Sequence, residues 1–343
     1  MTNDPIKEYY QKINTWKQDQ STFQTNMDNN FNNYYCKCNE NTCNTSGTVL
    51  CDKPKGYDTG VGSAVKVYLS DENTKTKGDL VTYTTSSNGV IYNMIPGVTY
   101  YWESEVDPEV YGLVKVSGER RIINIDGVRN VRDLGGLEVD YNDDGVVDGT
   151  LKYGRLFRGE KLWNSESNVT QLKKLGVNEE VDLRAASERN SGEVKLTSPD
   201  IFKQREIKHY QLNFETQRSN YDMTRAALVE VMQDIIAGKN VYFHCRIGTD
   251  RTGTLAYLLE GLLGVKQEQM LEDYELSYFF GLVNRHRFYA EDPNSSVSKT
   301  QKFVYMYDIM SDHNEVYEWF MLGSTDEEAD KELIRQFREA MVE

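Results

Sequence analysis

Cys245 and Arg251, separated by Arg246-Ile247-Gly248-Thr249-Asp250 and followed at once by Thr252-Gly253, place a nucleophile and a planar cation at the two ends of one short loop. A thiolate is the reactive form of cysteine, and converging backbone N–H groups at a helix start favour that form. The guanidinium fork of Arg251 can hold two oxygens of a phosphate and follow them as the phosphorus changes geometry. Thr252 can donate a hydrogen bond to the sulfur and help it leave from a covalent intermediate. Gly248 permits a backbone turn that a side chain would obstruct. His244 is expected to shape the loop and tune the thiol by hydrogen bonding. The chemistry implied is attack of sulfur on an oxyanion ester, with no metal required.

Such a loop needs a buried strand before it and a helix after it. Asn240-Val241-Tyr242-Phe243 has the β-branched and aromatic texture of the strand, and Thr252 to Leu263 has the apolar periodicity of the helix. A second strand is expected at Glu180-Val181-Asp182-Leu183, with further helices over Tyr221–Ile236, Gln267–Phe280 and Asp326–Val342. Strands alternating with helices argue an α/β domain with a largely parallel central sheet flanked by helices.

The His-Cys, five residues, Arg-Thr pattern resembles the signature of the protein-tyrosine phosphatase superfamily. Asn130-Val131-Arg132-Asp133-Leu134-Gly135-Gly136, then Gly154-Arg155-Leu156-Phe157-Arg158, then Val181-Asp182-Leu183-Arg184 and Asp250-Arg251-Thr252-Gly253, in that order, resemble the bacterial atypical tyrosine and lipid phosphatases. The resemblance runs from about Ile125 to the C-terminus. It implies a cysteinyl-phosphate mechanism and activity on phosphotyrosine, in some members also phosphoserine, phosphothreonine or phosphoinositides, and it implicates Asp250 as general acid. A carboxylic acid beside the thiolate is what a leaving phenolate or alkoxide needs. Asp182 is the second candidate for that role and Glu215 the third. Residues 244 and 246–249 would line the phosphate site. Arg132, Arg158 and Arg184 would either contact substrate or, with Asp133, form ion pairs that buttress the loop. Many relatives carry lysine where this chain has Thr249, which weakens attraction for a second phosphate and favours a phosphotyrosine-like monoester; Arg246 could restore some charge.

The 343-residue chain carries a formal charge of -15, which argues against sequence-independent nucleic-acid binding and against an anionic membrane surface. No apolar run approaches a membrane span. The N-terminal 60 residues read as an amphipathic helix over Pro5–Phe31 followed by an Asn-rich stretch holding Cys36, Cys38, Cys43 and Cys51, whose spacing suits two disulfides, a zinc ion or free thiols. Residues 61–124 form short β-rich runs, Ala64–Leu69, Leu80–Thr85, Val90–Tyr92, Val98–Val106 and Leu113–Ile125, expected to make a small all-β sandwich. The segment Met94 to Trp102 within it resembles the tyrosine-corner region of fibronectin type III modules. Residues 125–343 are then the catalytic domain.

Asp140, Asn142, Asp144 and Asp148 alternate before and after Gly145 like the first half of a calcium loop, although Leu151 stands where a bidentate glutamate belongs. A structural calcium ion or a plain polar turn both fit that spacing. The sandwich, the cysteines and this loop lean towards an exported or cell-surface protein with its signal segment absent from the chain, the alternative being a cytoplasmic one. The expected partner is a phosphorylated protein or small phosphomonoester. The competing readings are an inositol-polyphosphate or phosphoinositide phosphatase and a non-catalytic phospho-ligand-binding protein.

Overall fold

A computed structural model describes residues 56–277 and 303–343, apart from short breaks at 72, 117–119, 143, 164, 191–192, 197–201 and 308. The helix expected at Pro5–Phe31, the four clustered cysteines and the end of the helix expected at Gln267–Phe280 lie outside the described residues.

Seven strands come first: β1 (Tyr57–Asp58), β2 (Val65–Ser70), β3 (Lys77–Leu80), β4 (Thr85–Ser87), β5 (Val90–Tyr92), β6 (Thr99–Ser104) and β7 (Tyr111–Lys115). They form two antiparallel sheets, β3-β2-β6-β7 and β1-β5-β4. Strand β6 alternates half-buried and buried residues, with Tyr100 and Trp102 on the inner face beside Val65, Val67, Ile91 and Val114. That alternation is what a strand with one face on a core produces. The Tyr100 hydroxyl accepts the Ile95 N–H at 2.8 Å, tying the strand to the turn that precedes it.

The remaining strands are β8 (Arg121–Ile122), β9 (Arg132–Asp133), β10 (Glu138–Val139), β11 (Gly149–Thr150), β12 (Leu156–Gly159), β13 (Glu179–Asp182), β14 (Phe202–Gln204) and β15 (Val241–His244). Six of them make one sheet in the order β14-β13-β15-β12-β9-β8. β14, β13, β15 and β12 pair in parallel, whereas β9 and β8 add antiparallel at one edge. The Leu113–Ile125 run is therefore two strands in different sheets, because β8 crosses into the large sheet, where Ile122 pairs with Arg132. The Leu80–Thr85 run likewise splits between the end of β3 and the start of β4.

The helices are α1 (Glu166–Lys174), α2 (Arg218–Ile236), α3 (Asp250–Leu262), α4 (Gln267–Leu276), α5 (Phe303–Tyr307), α6 (His313–Met321) and α7 (Glu327–Met341). β15 is buried at every position and shows how they are arranged. Val241 and Phe243 face one core with Val231 of α2 and Leu255 and Leu259 of α3, while Tyr242 faces the other with Leu172 of α1. A strand covered on both faces reads as a continuous apolar run. The loop that follows it is thus delivered from the centre of the sheet.

Candidate active site

Cys245 to Thr249 connect the end of β15 to the first turn of α3, which supplies Asp250, Arg251 and Thr252. Among the described residues, the backbone N–H groups of Arg246, Ile247, Gly248 and Thr249 donate to no protein acceptor. Unpaired amides gathered at a helix start form an anion-binding cradle. Gly248 sits at φ +73, and a Cβ there would lie 2.4 Å from the backbone C and O of Gly159. The loop therefore presses against the end of β12 at a point where only glycine fits.

The loop is held from behind by a buried polar cluster. The Asn130 side-chain amide donates to the carbonyls of Gly248 (2.9 Å) and Ile247 (3.3 Å), and Arg158 Nη2 donates to the Gly248 carbonyl at 3.1 Å. Arg132 in turn donates to Asp273 Oδ1 of α4 at 2.6 Å and to Asn130 Oδ1, and Arg158 also pairs with Asp273. Arg132 and Arg158 are 1% and 0% exposed, and their guanidinium groups are engaged by Asp273, Asn130 and the Gly248 carbonyl, the arrangement of ion pairs that buttress a loop. Burial pulls the Arg132 pKa down to about 10, Asp273 working in the opposite direction. Burial opposes the charge of Asp273, yet Arg132 and Arg158 outweigh it and keep the carboxyl well below its usual range. Glu260 of α3, buried near the same cluster, is pushed well up by burial and by the Asp273 charge.

Asp133 makes a second junction, accepting from Arg121 Nη1 (2.9 Å), the Gly135 N–H (3.0 Å) and the Gly154 N–H (2.7 Å). The remaining bonds of Arg121 go to the Asn93 carbonyl of the first β unit.

Cys245 is 2% exposed. Burial disfavours the thiolate, but the Thr252 hydroxyl, the Arg251 charge and the Thr252 amide outweigh burial and lower the thiol pKa. Thr252 Oγ1 is buried without a hydrogen-bond partner, an unspent donor beside the thiol whose pKa it helps to lower. Arg251 closes the loop with both Nη atoms on the carboxylate of Glu188, whose Oε2 also takes the Ala185 N–H at 2.9 Å. The Arg251 fork draws the Glu188 pKa down to about 2.

His244 is buried with Nε2 2.9 Å from Glu180 Oε1 and Nδ1 3.1 Å from the Cys245 carbonyl. Burial opposes its charge, but Asp182 and Glu180 raise its pKa above the ordinary value. Asp182 is fully buried and accepts Arg184 Nε at 2.9 Å and Nη2 at 2.8 Å. Burial would raise its pKa, but His244 and Arg184 reverse the effect and lower it. A carboxylate so held is a fixed anion and a poor proton donor. Arg184 is 3% exposed and pairs with Glu193 as well as Asp182. Asp250 begins α3, half-buried, with Oδ1 taking the Tyr210 hydroxyl at 2.8 Å. Arg246 is exposed at the rim, Ile247 is half-buried and Thr249 is buried. Glu215 is exposed on the turn before α2.

Glu188, Glu193 and Asp273 were not singled out by sequence. None lies in a quoted motif, and each reaches its arginine only through the fold. Asn130 stood inside a quoted motif, and its left-handed backbone (φ 60) is the kind of position asparagine tolerates. The 140–148 segment joins β10 to β11. Asp140 Oδ2 takes the Gly145 N–H (2.9 Å), Asp144 Oδ1 the Val146 N–H (2.8 Å) and Asp148 Oδ2 the Tyr141 N–H (2.7 Å), while Asn142 is exposed. Among the described residues no three His, Cys, Asp or Glu side chains gather to hold a metal ion, and no helix is long and apolar enough to cross a membrane.

A loop-borne cysteine of lowered pKa, facing free amides and a closing arginine at the end of a central strand, defines a cysteine-dependent phosphatase. Residues 123–337, more than half of the chain, match the tyrosine phosphatase family, and the protein belongs to that family. A Cupriavidus necator protein named by inference as a tyrosine-protein phosphatase is 27% identical over 190 residues, 49% of this chain and 67% of that protein. Two crystal structures of P. aeruginosa TpbA, one of them in complex with phosphotyrosine, show 14% and 15% identity over 55% of this chain and 89% and 88% of theirs. Both have a TM-score of 0.29, and family membership rests on the sequence match.

Proposed function

We propose that this protein hydrolyses phosphomonoesters of the phosphotyrosine type through a cysteinyl-phosphate intermediate. The observation that carries the reading is the cradle itself: four free amides and the Arg251 fork around a buried sulfur whose pKa is lowered. The Cys245 sulfur attacks phosphorus while the ester P–O bond breaks, and Asp250 gives its proton to the departing oxygen. Water then attacks the phosphorus, Asp250 takes up a proton, and the S–P bond breaks with Thr252 stabilising the returning thiolate.

Hydrolysis of p-nitrophenyl phosphate by wild type, Cys245→Ser and Asp250→Asn tests the chemistry, with a rapidly quenched sample examined by mass spectrometry for phosphate on Cys245. Equal rates for wild type and Cys245→Ser overturn the enzymatic reading in favour of a phospho-ligand-binding protein. A panel of phosphotyrosine peptide, phosphoserine peptide, phosphoinositide and inositol hexakisphosphate tests the substrate class. Preference for the multiply phosphorylated compounds overturns it.

A further inference from the structure

We infer that Tyr210 is a positioning residue for the acid, holding the Asp250 carboxyl so that its proton faces the departing ester oxygen; this rests on the reading of Asp250 as proton donor. Tyr210 lies in the connection between β14 and α2, 40 residues from Asp250 in sequence. It is 2% exposed, with its backbone in the left-handed region at φ 61. A bulky residue rarely adopts that conformation and keeps it only where the surroundings enforce it.

The surroundings here are aromatic. The Tyr210 ring meets Tyr274 and Phe303 edge-on at 6.4 Å and 6.0 Å, and Tyr274 lies parallel to Phe303. Tyr274 also abuts α3 at Gly253, where a Cβ would come within 2.8 Å of its ring. The ring that steadies Tyr210 is thus braced against the helix that carries Asp250.

A phenol has one proton to donate, and the Tyr210 hydroxyl gives it to Asp250 Oδ1 at 2.8 Å. The hydrogen bond between the Tyr210 and Tyr274 hydroxyls therefore runs from Tyr274 to Tyr210. In the protonated carboxyl, an O–H donor at Oδ1 marks that oxygen as the carbonyl and leaves the acidic proton on Oδ2. As the S–P bond forms and the ester P–O bond breaks, the Oδ2 proton passes to the ester oxygen. The Tyr210 bond then stabilises the new carboxylate.

The test compares phenyl phosphate, whose leaving phenolate has a conjugate-acid pKa of about 10 and needs the proton, with 2,4-dinitrophenyl phosphate, whose stabilised phenolate does not. Tyr210→Phe keeps the ring and removes the hydroxyl. Its kcat on phenyl phosphate should fall about 10- to 100-fold, part of the ~10²–10⁴-fold that general acid catalysis supplies. On 2,4-dinitrophenyl phosphate it should stay within about threefold, and Tyr274→Phe should show a smaller loss of the same selectivity. Equal losses on both substrates, or no loss on either, overturn the inference. If Tyr210→Phe fails to fold, Tyr274→Phe decides by the same criterion. Asp250→Asn run alongside separates the two levels: without leaving-group selectivity in that variant the acid assignment fails, and with it there but absent from Tyr210→Phe only the positioning role fails.

Discussion

Replacing Gly248 by alanine adds one methyl group at the most crowded point of the anion loop. The new Cβ would stand 2.4 Å from Gly159 C and O and 2.7 Å from Glu160 N, all of them backbone atoms that cannot rotate away. The φ of +73 adds left-handed strain of about 1–2 kcal/mol. Overpacking against the sheet adds about 1–3 kcal/mol. Together they predict a loss of about 2–5 kcal/mol, and at roughly 2–4 °C per kcal/mol a Tm lower by about 4–20 °C. A loop shift of about 1 Å beneath the phosphate should cost roughly 10²-fold in kcat/KM on p-nitrophenyl phosphate. Gly145→Ala supplies the control, because its φ of +82 carries the same strain with nothing within 4 Å of the added carbon. It should melt only a few degrees low, at the ~1–2 kcal/mol of strain alone, with unchanged activity. The reasoning is refuted if Gly248→Ala melts no lower than Gly145→Ala and keeps more than a third of wild-type kcat/KM.

Glu188→Gln removes the carboxylate that fixes the Arg251 fork and should lower kcat/KM about tenfold through misplacement of the guanidinium. Because the Glu188 pKa falls from its ordinary value of 4.5 to about 2 in the fold, chiefly through Arg251, its ion pair stabilises the native state above pH 4.5. The stability gap between wild type and Glu188→Gln should therefore close as pH falls from 4.5 towards 2, as followed by urea unfolding at several pH values. Asp273→Asn leaves Arg132 and Arg158 buried without their shared counter-charge. It should cost about 3–5 kcal/mol, read as a Tm drop of roughly 10 °C.

The anion loop was legible because its working parts are contiguous: Cys245, Gly248, Arg251 and Thr252 lie in one run whose spacing is set by a strand end and a helix start. Its foundations were less so. Asp273 meets Arg132 across 141 residues and Glu188 meets Arg251 across 63, and no local pattern records such encounters. The arginines in the flanking motifs were visible, but the carboxylates that engage them, Asp273 and Glu193, are set by the packed chain. In the first β unit the period-2 pattern located the strands and their inner faces. It could not say that Leu113 to Ile125 changes sheets, since alternation specifies a face and not a partner. There the side chains of Arg121 and Asp133 help decide, by pairing inside the larger sheet.

That pair reaches further than the edge of the sheet. Arg121 is 3% exposed and gives one part of its guanidinium to Asp133 and the rest to Asn93, while Asn93 also exchanges hydrogen bonds with Asn124. To peel the first β unit away would break, all at once, the buried hydrogen bonds that join Asn93 to Arg121 and Asn124, each bond worth about 0.5–1.5 kcal/mol and those to the charged guanidinium more. The joint therefore behaves as a weld and not as a tether: the N-terminal β strands and the large sheet should melt in one cooperative transition, read as a single peak by calorimetry.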